Sequence, residues 1–375
     1  MKRMKYLTLA FVLSILLSAS VFSADLSLNS TSACLMEAST GRILYEMNAD
    51  ERLEPASVTK IMSLILVFEA MDSGSFNLET PVSGSEHACS MGGSQIWLEP
   101  GETMSVHEML KAVIVASAND CTVALGELVS GSEESFVSLM NEKAKNLGMV
   151  NTHFVNCTGL PAENHYTTAR DIAIMTRELH KHTQVYDYTK IWMDTLRNGE
   201  FGISNTNKLI RFYNGATGMK TGYTSSALYC MSATAERGGM NLIASVMKSE
   251  SSDKRFADAR KLLEYGFANY CIYKPEIPVL EPLKVKGGMD SSVALEVTGQ
   301  DILIEKGRAD RVEKNVEMSE SITAPFDKNT EVGKIIYTVD GNVVAEHPVV
   351  TSSGCEKIGY FDIFKRLLAS TVAVR

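Results

Sequence analysis

Three patterns are missing from this 375-residue sequence, and each absence excludes a class of protein. The seven cysteines are scattered singly, without the C-x-x-C or cysteine–histidine spacing of a zinc site and without the look of a disulfide framework. Positive charge is not in excess, since the formal net charge is −9, and this disfavours nucleic-acid binding. After the N-terminus, no stretch reaches the roughly 20 uninterrupted apolar residues of a membrane-spanning helix. We therefore expect no metal site, no cofactor and no nucleic-acid partner.

The N-terminus has the three-part plan of a secretory signal peptide. Residues 1–5 are basic, residues 6–17 are mostly apolar, and small residues follow, with Val21 and Ser23 at positions suited to cleavage after Ser23. Removal of residues 1–23 takes away three cations and changes the net charge from −9 to −12. We predict a cleaved signal and an exported protein; the alternative is an uncleaved membrane anchor.

The region from residue 24 to residue 275 mixes helical and strand patterns. A hairpin is predicted over residues 33–46, and the capping-box spacing of Ser105 and Glu108 marks a helix start. Helices are expected at residues 105–116, 120–129, 132–147, 167–181 and 253–269, and strands at residues 228–235 and 240–247. The simplest arrangement is a sheet built from both ends of this region with helices packed on it, which is an α+β fold.

Pro275 and Pro278 mark a boundary, beyond which the pattern becomes rich in short strands. Strand-like runs separated by turns predict a small all-β, sandwich-like domain over residues 276–352. The tail over residues 356–375 spaces its apolar residues as an amphipathic helix does. We predict that this tail lies on a membrane surface; the alternative is packing against the β domain or against a partner.

Residues 54–62, EPASVTKIM, place a serine and a lysine at the start of a helix. Pro55 suits the first turn, and the apolar character of residues 61–68 predicts that the helix is buried. Because residues i and i+3 of a helix are neighbours, Ser57 and Lys60 are expected side by side. Burial and the positive end of the helix both disfavour a charged lysine, so Lys60 can act as the base that activates Ser57.

The Ser-x-x-Lys spacing is not specific by itself, because it recurs at residues 245–248 and 251–254 and also fits an ordinary helix with a surface lysine. Only the first copy is followed in order by Ser-Ala-Asn at residues 117–119 and Lys-Thr-Gly at residues 220–222. The Ser-x-x-Lys motif at residues 57–60 lies at a helix start, the Ser-Ala-Asn motif lies in a loop between helices, and the Lys-Thr-Gly motif lies at the beginning of a strand pair. This trio is found in class A β-lactamases and penicillin-binding proteins.

On these motifs the chain resembles the low-molecular-mass penicillin-binding proteins, the D-alanyl-D-alanine carboxypeptidases of serine peptidase family S11. The resemblance covers nearly the whole mature chain and includes residues 54–62, 117–120, 151–154, 159–160, 166–171, 218–224 and 253–267. Ala118 stands where glycine is common, and Thr158 stands where some relatives carry a histidine, so no catalytic histidine is expected there. The resemblance implies a β-lactamase/transpeptidase-like catalytic domain followed by the β domain and the amphipathic tail.

The resemblance also implies a reaction, the removal of the terminal D-alanine from peptidoglycan stem peptides. Ser57 would attack the carbonyl between two D-alanines, and neutral Lys60 would take its proton. Ser117 would relay the proton to the leaving nitrogen, and Asn119 would hold the substrate amide or Lys60. The oxyanion would meet the N–H groups of Ser57 and, by the resemblance, of Tyr223. β-Lactams would acylate Ser57 and leave slowly.

The remaining expected site residues bind substrate. Lys220 adds positive charge, Thr221 can donate to the terminal carboxylate, and Gly222 lets its strand approach the substrate. Arg255 matches a basic family position that helps to bind this carboxylate; the alternative is an ion-pair partner on a helix surface. Cys121 is expected to be a packed thiol near the site rather than a catalyst, and the histidines are expected to be structural or exposed.

Two other functions stay open on the residues alone. A β-lactamase of the same fold would need a deacylating glutamate, and no obvious Glu-x-x-x-Asn loop lies between Asn119 and Lys220. A catalytically inactive wall-binding module is the second alternative, against which the intact set of serines, lysines and asparagine speaks. The preferred expectation is an exported enzyme at the outer face of the bacterial cytoplasmic membrane, in the cell-wall space.

Overall fold

The structure is a computed structural model, which describes residues 25–299 and 301–365. The predicted signal peptide over residues 1–23 lies outside the described residues. The α-helices up to residue 269 are α1 (Lys60–Asp72), α2 (Glu86–Cys89), α3 (Val106–Lys111), α4 (Asn119–Ser130), α5 (Glu133–Asn146), α6 (Ala169–His180), α7 (Tyr186–Thr189), α8 (Leu209–Phe212) and α9 (Ser252–Asn269).

Strands up to residue 249 are β1 (Ser32–Glu37), β2 (Ile43–Met47), β3 (Pro81–Ser83), β4 (Thr103–Ser105), β5 (Met193–Leu196), β6 (Phe201–Ser204), β7 (Ala216–Thr224), β8 (Leu228–Arg237) and β9 (Met240–Ser249). Those that follow are β10 (Tyr270–Tyr273), β11 (Leu283–Lys286), β12 (Ser292–Val293), β13 (Leu295–Val297), β14 (Ile302–Glu305), β15 (Val312–Met318), β16 (Ser321–Thr323), β17 (Glu331–Val339) and β18 (Asn342–Thr351).

A five-stranded antiparallel sheet in the order β2-β1-β9-β8-β7 organises the larger part of the chain. Strand β1 of the N-terminal hairpin pairs with β9, so the expected sheet built from both ends of this region is confirmed. Strand β7 stands at one edge and is paired on one side only, with β8. One side of β7 is therefore left facing the residues of the candidate site.

Helices cover both faces of this sheet, as the alternating pattern of β1 shows. Cys34 and Met36 belong to the hydrophobic cluster that contains α1, α4 and α6. Ala33 and Leu35 belong to a second cluster, which contains α9. Because successive side chains of a strand point to opposite faces, burial of all four places β1 in the middle of three layers.

Helix α1 runs through the centre of the helical layer. Its first nine residues, 60–68, are all buried, which confirms the buried helix expected from their apolar character. The chain enters α1 through a single 3-10 turn over Ala56–Thr59, so Ser57 lies in that turn and Lys60 is the first residue of the α-helix. The predicted i, i+3 relation between the two residues is preserved in this tighter geometry.

Serine and threonine side chains begin several helices by accepting a bond from a backbone N–H. The predicted cap at Ser105 is confirmed, since its hydroxyl accepts from the N–H of Glu108 at 3.2 Å. The predicted helix over residues 105–116 is α-helical only as far as Lys111, and residues Ala112–Ala116 form one turn of π-helix. Ser117 ends this turn in the left-handed region with φ of 66°.

The sequence patterns missed the antiparallel hairpin of β5 and β6. Its strands hold only four residues each, and two glycines, Gly199 and Gly202, lie at or near its turn. Such short, half-exposed strands show too few alternating apolar and polar residues to be recognised from the sequence. The hairpin leads directly into residues 205–207, which lie against β7 through the bond from Asn207 Nδ2 to the carbonyl of Gly218 at 2.9 Å.

The region after residue 270 is built from short strands, as predicted. A four-stranded sheet in the order β13-β18-β17-β15 and a three-stranded sheet in the order β12-β11-β16 share one hydrophobic cluster. Strand β10 begins before the expected boundary at Pro275 and pairs with β14 beyond it. Strand β15 was missed because its sequence, VEKNVEM, is polar and mostly exposed.

The predicted amphipathic tail lies partly within the described residues, where residues 360–365 are helical. Tyr360 and Phe361 are 92% and 83% exposed, so in this structure these rings do not pack against the β region. In the described part of the chain, no helix has both the length and the apolar character needed to cross a bilayer. The expected end of the tail beyond residue 365 lies outside the described residues.

Candidate active site

Ser57 and Lys60 meet as the spacing predicts. Lys60 Nζ donates to Ser57 Oγ at 3.0 Å. Ser57 is partly exposed, whereas Lys60 is fully buried. The residue before the serine, Ala56, has φ of 49°, which is the left-handed region that alanine seldom adopts. A partly exposed hydroxyl beside a buried amine is an arrangement suited to nucleophilic catalysis.

Lys60 is held by three acceptors that carry no charge. Besides Ser57 Oγ, its Nζ donates to Asn119 Oδ1 at 2.6 Å and to the carbonyl of Thr158 at 2.8 Å. Burial lowers the pKa of Lys60 to about 7, although Cys157 and Asp120 favour its charged form. The amine can therefore lose and regain a proton near neutral pH, as a general base must.

Ser117 and Lys220 form a second serine–lysine contact, which joins a loop to the sheet. Lys220 Nζ donates to Ser117 Oγ at 2.8 Å and to the carbonyl of Thr221 at 3.0 Å. Both side chains are buried. Burial lowers the pKa of Lys220 well below its ordinary value, and the positive charges of Lys60 and Arg255 add to this effect. The structure thus brings the three sequence motifs together through two lysines.

Asn119 connects Lys60 to the loop that precedes α3. Its Nδ2 donates to the carbonyl of Gly92 at 2.6 Å, and its backbone N–H donates to the carbonyl of Ser94 at 2.7 Å. Because Asn119 Oδ1 accepts from Lys60, the amide is oriented from both ends. The geometry supports a contact with Lys60; the expectation that Asn119 also holds a substrate amide stays a prediction.

Gly222 brings strand β7 against the backbone of the nucleophile. A Cβ at this position would lie 2.8 Å from the carbonyl oxygen of Pro55 and 2.9 Å from the nitrogen of Ser57. These backbone atoms leave no room for any side chain at residue 222. The expected close approach is present, but the described contact is with the turn that carries Ser57 rather than with a substrate.

Thr221 and Tyr223 flank this glycine on β7 and differ in exposure. Thr221 is buried, and its hydroxyl donates to Thr206 Oγ1 at 2.7 Å. Tyr223 is 55% exposed, and its ring lies 4.4 Å from the ring of Tyr229. Both residues lie beside the serine–lysine contacts, and their roles toward a carboxylate and an oxyanion stay predictions.

Arg255 lies in the first turn of α9 and is buried, so its alternative reading as an exposed surface ion-pair partner is wrong. Its Nη1 donates to the carbonyls of Gly222 at 3.1 Å and Cys230 at 3.3 Å. Within the described residues no carboxylate lies within ion-pairing distance of this guanidinium. Burial lowers the pKa of Arg255 to about 10.

Sequence reasoning gave no role to Asp120, which shapes the wall of the site. Its buried carboxylate accepts from the N–H groups of Ile96 and Leu98, both at 3.0 Å. It thereby fixes the loop whose carbonyls receive Asn119. A charged residue directly after the Ser-x-Asn motif, next to the mostly apolar pattern of α4, was the signal that could have identified it.

Thr158 and Gly159 are further supports that the motifs did not predict. The carbonyl of Thr158 binds Lys60, and Gly159, with φ of 85°, would place a Cβ 1.9 Å from the carbonyl oxygen of Ala56. No pattern in a single sequence reveals that a backbone carbonyl will meet a lysine. Only the resemblance, through residues 159–160, included this glycine.

The cysteines near the site are packed thiols. Cys121 is fully buried, and burial raises its pKa well above the ordinary value, which fits the expectation that it is not a catalyst. Cys157 is likewise buried with a raised pKa. In the described part of the chain, no group of three histidine, cysteine, aspartate or glutamate side chains could hold a metal ion.

The chemistry of the arrangement can be read from these contacts. The Ser57 hydroxyl contacts the Lys60 amine, whose pKa is about 7. The Ser117 hydroxyl is held by the Lys220 amine, and strand β7 passes beside the backbone of Ser57. Nucleophile and base lie within hydrogen-bonding distance, and no histidine takes part in the contacts described. This set suits acyl transfer through a serine ester.

Comparison with known families agrees with this chemistry. Residues 19–251 match the family profile described as D-alanyl-D-alanine carboxypeptidase, Peptidase_S11. Residues 270–357 match the profile described as the C-terminal domain of penicillin-binding protein 5. The two matches together cover both the helix-flanked sheet and the β-rich region that follows it.

Individual relatives align over most of their length. D-alanyl-D-alanine carboxypeptidase DacF of Bacillus subtilis is 44% identical, with 92% of this chain and 91% of the relative covered. D-alanyl-D-alanine carboxypeptidase DacC of Escherichia coli is 34% identical, with 87% and 84% covered.

Solved structures are similar as well. Penicillin-binding protein 5 of Haemophilus influenzae superposes with a TM-score of 0.78 at 30% identity, covering 88% of this chain and 98% of that one. Penicillin-binding protein D2 of Listeria monocytogenes, solved with ampicillin bound, gives a TM-score of 0.60 at 32% identity, covering 65% of this chain and 100% of that one.

Proposed function

The chain belongs to the D-alanyl-D-alanine carboxypeptidase family of serine peptidases, and on this premise we propose that it removes the terminal D-alanine from peptidoglycan stem peptides. The reaction passes through an ester on Ser57. One observation carries the proposal more than any other: Lys60 Nζ lies 3.0 Å from Ser57 Oγ, in a buried site that lowers the pKa of the amine to about 7.

In the proposed acylation, Lys60 accepts the proton of Ser57 while Oγ attacks the carbonyl carbon between the two D-alanines. The developing oxyanion receives bonds from the N–H groups of Ser57 and Tyr223. Ser117 relays the proton from Lys60 to the leaving nitrogen, and free D-alanine departs. Water then cleaves the ester and restores the hydroxyl.

Lys220 and Thr221 are proposed to receive the terminal carboxylate of the substrate. Lys220 is buried among uncharged acceptors and near two other cations, which favours its neutral form before substrate arrives. An incoming carboxylate supplies the opposite charge that raises a lysine pKa. The carboxylate thus offsets the burial that disfavours a charged Lys220, and β-lactams, which also carry a carboxylate, use the same contacts.

The proposal includes the domains and the location of the protein. Residues 1–23 act as an export signal, residues 24–275 carry the peptidase, residues 276–352 form the β domain, and residues 356–375 bind a membrane surface. The exposed rings of Tyr360 and Phe361 support this role of the tail. Cell fractionation tests it: a chain that ends before Ile358 should leave the membrane pellet, and retention there would contradict the assignment.

Purified protein with diacetyl-Lys-D-Ala-D-Ala tests the activity. Release of free D-alanine is expected, together with a penicilloyl adduct seen by mass spectrometry that is lost in Ser57→Ala. Fast turnover of a β-lactam without D-alanine release would instead identify a β-lactamase. Absence of both release and adduct would identify an inactive wall-binding module, and an adduct that persists in Ser57→Ala would show that the nucleophile is another residue.

A further inference from the structure

We propose that Arg255 is a positioning residue of the oxyanion hole, which orients and polarises the Gly222–Tyr223 peptide so that the Tyr223 N–H points toward the open edge of β7. This differs from a direct contact between Arg255 and the carboxylate of the substrate. The inference rests on the proposed function, because it requires acyl transfer at Ser57.

The hydrogen bonds of the guanidinium are the first support. Arg255 is 6% exposed, and its Nη1 is shared between the carbonyl oxygens of Gly222 and Cys230 at 3.1 and 3.3 Å. Its Nη2 meets Ser252 Oγ at 3.4 Å, and its Nε has no partner within the described residues. A buried cation whose shortest bonds run to two backbone carbonyls is placed to orient backbone.

The geometry of the peptide unit fixes the direction of the Tyr223 N–H. The Gly222–Tyr223 peptide is trans, so its C=O and its N–H point in opposite directions. The carbonyl is directed at Arg255, on the side of β8 and α9. The Tyr223 N–H is therefore directed away from them, toward the open edge of β7. One face of the neighbouring Gly222 packs against the backbone of Ser57, so the nucleophile lies next to this part of the edge strand.

Polarisation acts through the same peptide. A charged donor on the carbonyl draws electron density toward its oxygen, and this makes the N–H of that peptide a stronger donor. The guanidinium thus strengthens a bond to the oxyanion without touching it. Such preorganised donors stabilise the charge that develops in the transition state.

Aromatic contacts also link the Arg255 guanidinium to strand β7. The Arg255 guanidinium lies 4.7 Å from the ring centroid of Phe256 and 5.4 Å from that of Tyr229. The ring of Tyr229 in turn lies 4.4 Å from the ring of Tyr223. Arg255 therefore contacts the peptide that precedes Tyr223 through the Gly222 carbonyl, and it contacts the Tyr223 side chain indirectly through the ring of Tyr229.

Two ligands of Ser57 separate positioning from carboxylate binding. One is diacetyl-Lys-D-Ala-D-Ala, and the other is an N-acylated boronic acid analogue of D-alanine, which forms a tetrahedral adduct on the serine but has no carboxylate. For Arg255→Gln, positioning predicts a fall in kcat/KM of about 10- to 100-fold, somewhat less than loss of an oxyanion donor. It also predicts an equal fall in affinity for the boronic acid.

The opposite result is as clear. If Arg255→Gln weakens only the carboxylate-bearing substrate, mainly through KM, and leaves boronic acid affinity unchanged, Arg255 binds the carboxylate and the inference is overturned. No change with either ligand overturns it as well. Wild-type protein without D-alanine release would defeat the proposed function itself, so the two failures are distinguishable.

Matched variants guard against a folding defect. Arg255→Lys keeps the charge on a smaller group. An intermediate loss that is equal in kcat/KM for the peptide and in affinity for the boronic acid supports positioning. A loss confined to the carboxylate-bearing peptide contradicts positioning, even if Arg255→Gln does not fold. Ser252→Ala removes the hydroxyl near Nη2 and leaves the carbonyl contacts in place. This control should match the wild type with both ligands.

Discussion

The candidate site has a helical wall, formed by Ser57, Lys60 and Asn119, and a strand wall, formed by residues 220–223 of β7. Each wall presents a buried lysine, but the two lysines are held differently. On the helical wall, Lys60 binds Ser57, Asn119 and a loop carbonyl, and its pKa falls to about 7. On the strand wall, Lys220 binds Ser117 and its own neighbouring carbonyl, and burial lowers its pKa well below the ordinary value, with a further contribution from two nearby cations. Both lysines are buried and have lowered pKa values, but in the contacts described only Lys60 donates to the nucleophile.

This difference assigns separate tasks to the walls. Lys60 changes protonation near neutrality and is next to the nucleophile, so it suits proton transfer. Lys220 holds Ser117 and comes directly before Thr221 on β7, so it suits substrate binding. The helical wall is accordingly expected to control the rate of acylation, and the strand wall is expected to control recognition of the ligand.

Replacement of the helical-wall lysine should have the largest effect. Lys60→Met removes the proposed base, and acylation by penicillin should slow by about 10³- to 10⁴-fold. Lys60→Arg should be similarly slow, because an arginine stays protonated. Stopped-flow acylation with mass-spectrometric detection measures both variants, and a rate near that of wild type in either would remove Lys60 from the role of base.

Gly222→Ala tests the contact between the two walls. The added Cβ would meet the backbone of Pro55 and Ser57 at 2.8 and 2.9 Å, so strand and nucleophile must move apart. A loss in kcat/KM of about 10²-fold is expected, since displacement by about 1 Å has that effect. Gly202→Ala is the matched control, because nothing lies within 4 Å of its Cβ, and it should leave the rate unchanged. Full activity of Gly222→Ala would show that the walls need not meet so closely.

The pH dependence of acylation tests Lys60 in the unaltered protein. Acylation requires neutral Lys60, whose lowered pKa of about 7 means that protonation sets in as the pH falls through that value. The rate should be constant above pH 8 and should fall about tenfold per pH unit below pH 6, close to 100-fold by pH 5. The carboxylate of penicillin stays ionised over this range, so a flat profile would contradict Lys60 as the base.

Thr221→Val should have the smallest of these effects and should act on the strand wall alone. Valine has the same shape but lacks the hydroxyl proposed to bind the terminal carboxylate, so KM for diacetyl-Lys-D-Ala-D-Ala should rise about tenfold with kcat nearly unchanged. Thr221→Ser keeps the hydroxyl and should stay near wild type. A fall in kcat with unchanged KM would assign Thr221 to the chemical step instead.

The sequence allowed the motif residues to be predicted because their spacing has a local meaning. Ser57 and Lys60 are i and i+3 in one helical turn, and the cap at Ser105 follows a short-range rule. The order of motifs then placed Ser117 and Lys220 in the same site. The fold class followed from hydrophobic patterns and from the resemblance, and the family match confirms it.

The supporting contacts could not be predicted, because they depend on backbone atoms that meet only in the folded chain. Thr158 acts through its carbonyl, and the guanidinium of Arg255 lies against carbonyls of β7 and β8 rather than on a helix surface. The π-turn before Ser117 was missed for a related reason: its residues, AVIVA, have the same apolar pattern as a continuing α-helix.

The central sheet has a consequence for when this protein becomes active during its synthesis. Strand β1 lies between β2 and β9, and Asp258 of α9 holds the N-terminal segment through Asn29, 229 positions away along the chain. Contacts this distant cannot form until nearly the whole peptidase region has emerged, and they slow folding. A chain interrupted before β9 lacks the strand that joins the β2–β1 pair to the β8–β7 pair. Ser57, although made early, acquires its surroundings only when the last strand of the sheet is in place.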